Sequence, residues 1–231
     1  MKFNTNEELK NHLLSIAKEG LKDFSEKIIP AGSKIYGVTV PELRRLAKEA
    51  AKDDFYGFLS VLSQDSFEEI LLYGMAIGYA DIDYDERVKL IRTYASMADN
   101  WAHVDCAAAT YKFINKNKRA FLREIEGFLS SDKEFVVRMG FVLLLDYYVD
   151  EEYLPFIFAA AENADCSPYY VSMAVAWLLS VCAVKFREET IAYLAGTKID
   201  DKTYNRTVRK ITDSYRVDEQ TKNMLKKTLR K

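Results

Sequence analysis

Apolar residues recur along this chain at the three- and four-residue spacing of an amphipathic helix. Leu43, Leu46 and Ala47 fall on one helical face, and Phe135 and Met139 begin another series of this kind. Side chains three and four positions apart lie on the same side of an α-helix. No stretch alternates apolar and polar residues as a strand would, so the pattern predicts an all-α protein.

Capping residues mark the expected starts of several helices. In Thr39-Val-Pro-Glu42 and in Ser131-Asp-Lys-Glu134, a hydroxyl can accept the free N–H groups of the first turn and the glutamate can reach back. Ser167-Pro168 predicts a serine cap followed by proline at the first helical position. Caps and apolar spacing together predict helices over residues 5–24, 41–52, 53–63, 66–79, 84–97, 101–114, 117–130, 133–148, 151–162, 168–182, 186–194, 200–213 and 217–229.

The predicted helices form pairs, and each pair occupies about 33 to 40 residues. This period, without a shared consensus, favours HEAT-like repeats over tetratricopeptide repeats. We therefore expect an α-solenoid of HEAT-like helical repeats, with about six antiparallel helix pairs forming a concave arc. The expected organisation is a single domain over 1–231, with an N-terminal helical segment at 1–38, a loop at 31–36 and repeats at 39–231.

Composition agrees with a helical protein that buries a sizeable core. The chain has 231 residues, 49% of them hydrophobic, with only nine glycines and four prolines. The formal net charge is -2, but the last 30 residues hold ten basic and three acidic side chains. This basic block suits an anionic partner, and it suits equally a solvated helical face, so it does not by itself establish nucleic-acid binding.

The three cysteines, Cys106, Cys166 and Cys182, lack the spacing of a metal site or a disulfide framework. They predict reduced thiols in a cytoplasmic protein. The first residues contain no apolar run of the signal-peptide kind, and the longest apolar stretch is 16 residues from Tyr169 to Val184, too short for a membrane span. We expect no membrane association.

Four residues form the most informative constellation in the sequence. Trp101 and Asp105 lie four apart and therefore on one helical face, and Arg138 and Trp177 follow in the first helices of the next two repeats. Stacked repeats would bring all four into one strip of the concave surface. The alternative is structural: the tryptophans belong to the core, and Arg138 pairs with a buried acid such as Asp105.

The segments that hold these residues are similar to those of a known family. Trp101-Ala-His-Val-Asp105 matches a Trp-x-x-Val-Asp segment, Arg138 follows an apolar pair, and Trp177 stands in Ala176-Trp177-Leu-Leu. Gly37-Val-Thr-Val-Pro41-Glu-Leu-Arg-Arg45 matches a Gly-x-x-x-Pro-x-x-Arg segment. Over nearly its whole length the chain resembles the HEAT-like-repeat DNA glycosylases, the AlkD-like alkylpurine glycosylases of bacterial DNA alkylation repair.

The resemblance implies hydrolysis of the N-glycosidic bond of cationic N3- or N7-alkylpurines in double-stranded DNA. It implies no metal, no cofactor and no flipped-out base in a pocket. Trp101 and Trp177 would stabilise positive charge by cation–π contact worth about 0.5 to 2 kcal/mol each. Asp105 would stabilise the oxocarbenium-like sugar and position water, and Arg138 would hold a neighbouring phosphate. His103 points off the face of Trp101 and Asp105, and we expect it to be a packing or capping residue.

We expect basic side chains to bind the phosphate backbone of double-stranded DNA, independently of base sequence. We expect the protein to be a monomer. The candidates are Arg44, Arg45, Lys48, Lys112, Lys116, Lys118, Arg119, Lys202, Arg206, Arg209 and Lys210. Two other functions remain open: a non-catalytic protein that binds damaged or branched DNA, and a helical-repeat scaffold that binds other proteins.

Overall fold

The structure is a computed structural model that describes residues 2–29 and 34–231. Within these residues the regular structure is helical, with a single isolated bridge between Lys34 and Ser66 and no strand. The helices are α1 (Asn6–Ile16), α2 (Leu21–Ile28), α3 (Val40–Asp53), α4 (Phe55–Val61), α5 (Phe67–Tyr79), α6 (Tyr84–Met97), α7 (Trp101–Ala108), α8 (Ile114–Leu129), α9 (Glu134–Tyr147), α10 (Leu154–Asn163), α11 (Tyr169–Lys185), α12 (Arg187–Gly196), α13 (Asp201–Asp213) and α14 (Glu219–Lys226). A short 3-10 helix, Glu151–Tyr153, precedes α10.

The chain divides into two compact units, Met1–Lys116 and Asn117–Lys231. In the first unit α5 packs against both α3 and α7, while α4 packs on α3 and α6 packs on α5. Helix α5 is accordingly buried along most of its length. A Cβ atom on Gly74 of α5 would lie 2.2 Å from the Tyr94 ring of α6, so the absence of a side chain permits this close approach.

The second unit repeats the arrangement. Helix α11 packs against α9 and α13, while α12 packs on α11 and α14 packs on α13. In both units, then, alternate helices stack on one another and the intervening helices cover them, which is the organisation of an α-solenoid of helical repeats. The all-helical fold expected from the sequence is confirmed, whereas the concave arc and the single-domain assignment stay predictions. None of the helices in the described residues has the length and hydropathy needed to cross a membrane.

Two helix predictions were wrong. The single helix expected over 5–24 is two helices, because the chain becomes extended at Ala17 and Gly20 adopts a positive φ of 77° at the start of α2. The helix expected over 101–114 ends at Ala108, and Thr110 then caps its last turn by donating to the Ala107 carbonyl at 2.7 Å. Helix α8 begins earlier than expected, at Ile114, with non-helical dihedral angles at Asn117.

The predicted caps have mixed outcomes. The Thr39 hydroxyl accepts from the Glu42 N–H and donates to the Glu42 carboxylate, as expected for α3. Helix α9 instead begins at Glu134 without a side-chain cap, and the Ser131 hydroxyl accepts from the Lys133 N–H outside the helix. Pro168 lies in the extended region before α11 rather than inside its first turn. Of the loop expected at 31–36, residues 31–33 lie outside the described residues, and the described part is not helical.

Candidate functional site

Helix α7 carries Trp101 and Asp105, and Asn100 fixes where it begins. The Asn100 side-chain oxygen accepts from the backbone N–H groups of Ala102 and His103, both at 3.0 Å. This cap makes Trp101 the first helical residue, so Asp105 lies one turn further along the same face. Both residues are partly exposed.

The indole of Trp101 is held in a defined orientation. Its Nε1–H donates to the Ile28 carbonyl, the last residue of α2, at 3.0 Å. Helix α2 itself contains no buried residue, and Phe24 and Ile28 are 57% and 43% exposed. A pocket of about 210 Å³ lies beside the indole, and its lining is almost wholly apolar: Leu21, Phe24, Ser25, Ile28, Ile29, Val38, Thr39, Val40, Phe67, Trp101, Ala102 and Cys106.

Residues 36–38, of which Val38 lines the pocket, are held in place by a buried carboxylate. The Glu68 Oε1 atom accepts from the backbone N–H groups of Tyr36, Gly37 and Val38 at 3.0, 2.8 and 3.2 Å. Gly37 has a positive φ of 97°, a conformation that other residues rarely adopt. Its carbonyl accepts from the Lys18 N–H at 2.9 Å, which places residues 36–38 against the start of α2.

The negative charge of Asp105 acts on a thiol that lines the Trp101 pocket. The thiol of Cys106, which lines the pocket, has its pKa raised to about 11, first by burial and then by the Asp105 carboxylate. Arg44 lowers the same pKa to a smaller extent, so Arg44 also lies close enough to act on the pocket electrostatically. Cys106 therefore remains a neutral thiol near pH 7.

His103 is a packing residue, as the sequence predicted. It is fully buried and stacks on the Phe67 ring with centroids 4.8 Å apart. Its Nε2 lies 3.0 Å from the Phe67 carbonyl oxygen, and the Tyr94 hydroxyl donates to the His103 carbonyl. These contacts join α5, α6 and α7, and they hold the helix that carries Trp101.

Arg138, in the second unit, is largely enclosed and contacts groups of the protein itself. It is 5% exposed, its guanidinium donates to the Tyr170 carbonyl at 2.9 Å, and it lies over the Tyr170 ring at 6.0 Å. One turn earlier on α9, the Glu134 carboxylate accepts from the Tyr170 N–H at 2.6 Å. Arg138 and Glu134 thus fix both backbone groups of Tyr170, in the first turn of α11.

Trp177 lies on the same helix, α11, and is partly exposed. It lines a second pocket of about 210 Å³, together with Ser180, Val181, Val184, Lys185, Ser214 and Arg216. Neither tryptophan is enclosed in the core.

The candidate DNA-binding residues differ in what they contact. Arg45, Lys118 and Arg119 form ion pairs with Glu49, Asp150 and Glu152, respectively. Arg206 donates to the Ser172 hydroxyl and lies over the Tyr169 ring at 4.8 Å. Of the remaining seven candidates, Lys210 is partly exposed and six are exposed: Arg44, Lys48, Lys112, Lys116, Lys202 and Arg209. Exposed ion pairs contribute little to stability, so phosphate can replace the carboxylate partners at small cost.

The structure brings Trp101 and Asp105 together on α7, and it places Arg138 and Trp177 on stacked helices of the second unit. A common surface for all four stays a prediction. The sequence analysis missed the Ile28 carbonyl, since nothing in a sequence marks a backbone acceptor 73 residues away. It also missed Lys185 and Arg216 beside Trp177; the only signal for Arg216 was its position in the basic C-terminal block.

Comparison with known proteins bears on the family of the chain and not on the roles of individual residues. A search of curated proteins gave no match. A protein-family model described as DNA alkylation repair enzyme matches residues 9–227, which is nearly the whole chain. The chain therefore belongs to the DNA alkylation repair enzyme family.

Proposed function

We propose that this member of the family is a DNA glycosylase that hydrolyses the N-glycosidic bond of cationic N3- or N7-alkylpurines in double-stranded DNA. The observation that carries the proposal is the pairing of Trp101 and Asp105 one helical turn apart on α7, where Trp101 lines an apolar pocket and its indole N–H is bonded to Ile28. A positively charged lesion needs an aromatic face and a carboxylate, and this pairing offers both.

The indole of Trp101 acts through its ring face. Because its N–H is bonded to the Ile28 carbonyl, the ring is held in one orientation and its polar group is not available to read a base. The face of an indole attracts a cation within about 6 Å of the ring centroid. We therefore assign to Trp101 the stabilisation of the lesion and of the cationic sugar.

Asp105 supplies the larger electrostatic contribution. As the C1′–N bond breaks, its electron pair neutralises the departing base, and positive charge develops on the sugar. Water then forms a bond to C1′ and passes its proton through the Asp105 carboxylate to solvent. A carboxylate that faces developing positive charge stabilises the transition state more than the ground state. The base leaves as a neutral molecule, so the reaction requires no acid to protonate it.

Cys106 does not take part as a nucleophile in this proposal. Its pKa of about 11 leaves very little thiolate at pH 7, and the thiolate is the reactive form. The pocket that Cys106 lines has almost wholly apolar walls, and these offer no group that would activate the thiol. Water, not the thiol, is the proposed nucleophile.

In the second unit, we assign Trp177 a second aromatic contact with the substrate and Arg138 a role in holding a phosphate. Because Arg138 is 5% exposed and bonded to Tyr170, it also positions α11, the helix that carries Trp177. The exposed basic residues would bind the DNA backbone without regard to sequence. The protein would act on duplex DNA as a monomer.

The test is single-turnover release of 7-methylguanine from a duplex that contains one such lesion. The control duplexes carry guanine or uracil at the same position, and we expect no release from either, because the described residues that line the Trp101 pocket include no carboxylic acid or histidine to protonate a neutral base. Absence of 7-methylguanine release, with duplex binding intact, would instead identify a non-catalytic DNA-binding protein. Absence of both would favour a protein-binding scaffold.

A further inference from the structure

The connection between α13 and α14 exposes an aromatic side chain completely. Tyr215 is 102% exposed, more than any other large apolar residue among those described. The turn around it is nevertheless ordered by local bonds: the Arg216 N–H donates to the Ser214 hydroxyl at 3.2 Å, and Val217 is buried. A single exposed aromatic residue is ordinary on a protein surface, so Tyr215 becomes informative only through the residues beside it.

Tyr215 lies between two residues of the Trp177 pocket, Ser214 and Arg216. The charged residues that line this pocket are Lys185 and Arg216, both basic, and no acidic residue lines it. The acid that follows the turn, Asp218, is already engaged, because it caps α14 and pairs with Arg187 at 2.8 Å. The pocket is therefore complementary to an anion.

A larger pocket in the same unit differs from the Trp177 pocket in the charge of its lining. It measures about 670 Å³ and is lined by three basic and four acidic side chains: Lys198, Lys202, Arg206, Glu162, Asp165, Asp200 and Asp201. Its greater volume would favour it as a binding site, but with four acidic side chains beside its basic ones it is less complementary to phosphate than a pocket whose charged residues are all basic. Charge thus selects the smaller pocket, beside Trp177, as the site for a nucleic-acid backbone.

We propose that residues 214–217 form a DNA-contacting turn in which Arg216, assisted by Lys185, binds a phosphate and Tyr215 stacks on an unpaired nucleobase. The inference rests on the proposed DNA substrate and adds contacts that the family resemblance did not imply. Lys185 has one N–H donor committed to the Val149 carbonyl at 3.2 Å, which leaves two others, while Arg216 is exposed. Stacking accepts any base, so this contact would be independent of sequence.

The experiment measures affinity by fluorescence anisotropy, with one labelled duplex that holds a tetrahydrofuran abasic-site analogue and one intact duplex. An abasic analogue leaves the opposite base unpaired and open to stacking. Arg216→Ala should weaken binding to both duplexes and reduce the log–log salt slope by about 0.9, and Arg216→Lys should retain the slope. Tyr215→Ala should weaken binding to the abasic duplex by roughly 5-fold or more, and Tyr215→Phe should not.

Tyr56→Ala and Arg123→Ala provide matched controls, since both residues are exposed and lie outside this pocket. Wild-type affinities and salt slope for Arg216→Ala and Tyr215→Ala would overturn the inference, as would equal losses in the control variants. An equal loss on both duplexes for Tyr215→Ala would overturn the stacking contact. Release of 7-methylguanine by the wild type, measured in parallel, keeps the two proposals separate. If the wild type releases 7-methylguanine and neither Arg216→Ala nor Tyr215→Ala changes DNA binding, only the proposed DNA-contacting turn is rejected. If both variants weaken binding as expected but the wild type releases no 7-methylguanine, only the proposed glycosylase activity is rejected.

Discussion

Replacing Asp105 with asparagine tests the proposed chemistry most directly. The substitution keeps the size of the side chain and removes its charge. Two unit charges 4 Å apart interact by about 4 kcal/mol at an effective dielectric constant of about 20. The sugar carries only part of a unit charge in the transition state, and Asp105 is partly exposed, so we expect a loss of about 3 kcal/mol. Since about 1.4 kcal/mol corresponds to a factor of ten, the rate should fall roughly 100-fold.

The assay is single-turnover release of 7-methylguanine, with enzyme in excess over a duplex that holds one lesion. Duplex affinity should stay equal or improve slightly, because the carboxylate repels phosphate in the ground state and acts mainly in the transition state. Asp132→Asn is the control, an exposed acid outside the site. The melting temperature of each variant shows whether a rate loss reflects unfolding.

Equal release rates for wild type and Asp105→Asn would refute the electrostatic role of this carboxylate. A rate loss matched by a similar loss of duplex affinity would also count against it, because the charge would then act on binding rather than on the transition state.

Three further predictions concern the surroundings of the site. Trp101→Phe should lower the free energy of unfolding by about 1 kcal/mol, because the hydrogen bond to the Ile28 carbonyl is lost. It should slow excision less than Trp101→Ala, because an aromatic face remains. An unchanged melting temperature would contradict the role of this bond. Glu68→Gln should lower the free energy of unfolding by about 2 kcal/mol in urea titrations, because the amide keeps one acceptor oxygen and its NH₂ would face the Tyr36 N–H that the second carboxylate oxygen, Oε2, accepts at 3.0 Å. Burial raises the pKa of Cys106 to about 11 and that of Cys182 to about 12, so both thiols should resist alkylation at pH 8 in the native state. Because the unfolded chain ionises its thiols at their ordinary pKa of 9.0, the free energy of unfolding should fall as the pH rises from 9.0 toward 11. Fast alkylation of the native protein at pH 8 would contradict this burial.

The helical fold could be predicted from the sequence because apolar spacing reports directly on which face of a helix is buried. The errors fell where a helix is interrupted by backbone conformation rather than by a change of pattern. Residues 5–24 keep apolar spacing across the break, so only Gly20 indicated the second helix. At the end of α7, Thr110 bonds to the backbone and stops a pattern that would otherwise continue.

The candidate site could be predicted only in part for a related reason. Spacing places Trp101 and Asp105 on one face, and that relation is local. The hydrogen bond that orients the indole joins residues 73 positions apart, and its acceptor is a backbone carbonyl. The Glu68 carboxylate holds residues about 30 positions away, and the donors there are backbone N–H groups. Backbone groups carry no sequence signature, so contacts of this kind become visible only in the folded chain.

The Gly37 segment shows how such backbone contacts reach the proposed chemistry. Glu68 holds residues 36–38 through their N–H groups, and the Gly37 carbonyl accepts from Lys18 just before α2. A Cβ at Gly37 would lie 3.1 Å from the Lys22 backbone nitrogen, so a larger residue would press on the first turn of α2 as well as strain a positive φ. The last residue of α2 then accepts the indole N–H of Trp101. Each step is a hydrogen bond or a close backbone contact, so a displacement at Gly37 would pass through α2 to the orientation of the indole. This sequence of contacts gives the glycine a physical role at the site, although it contacts neither Trp101 nor Asp105.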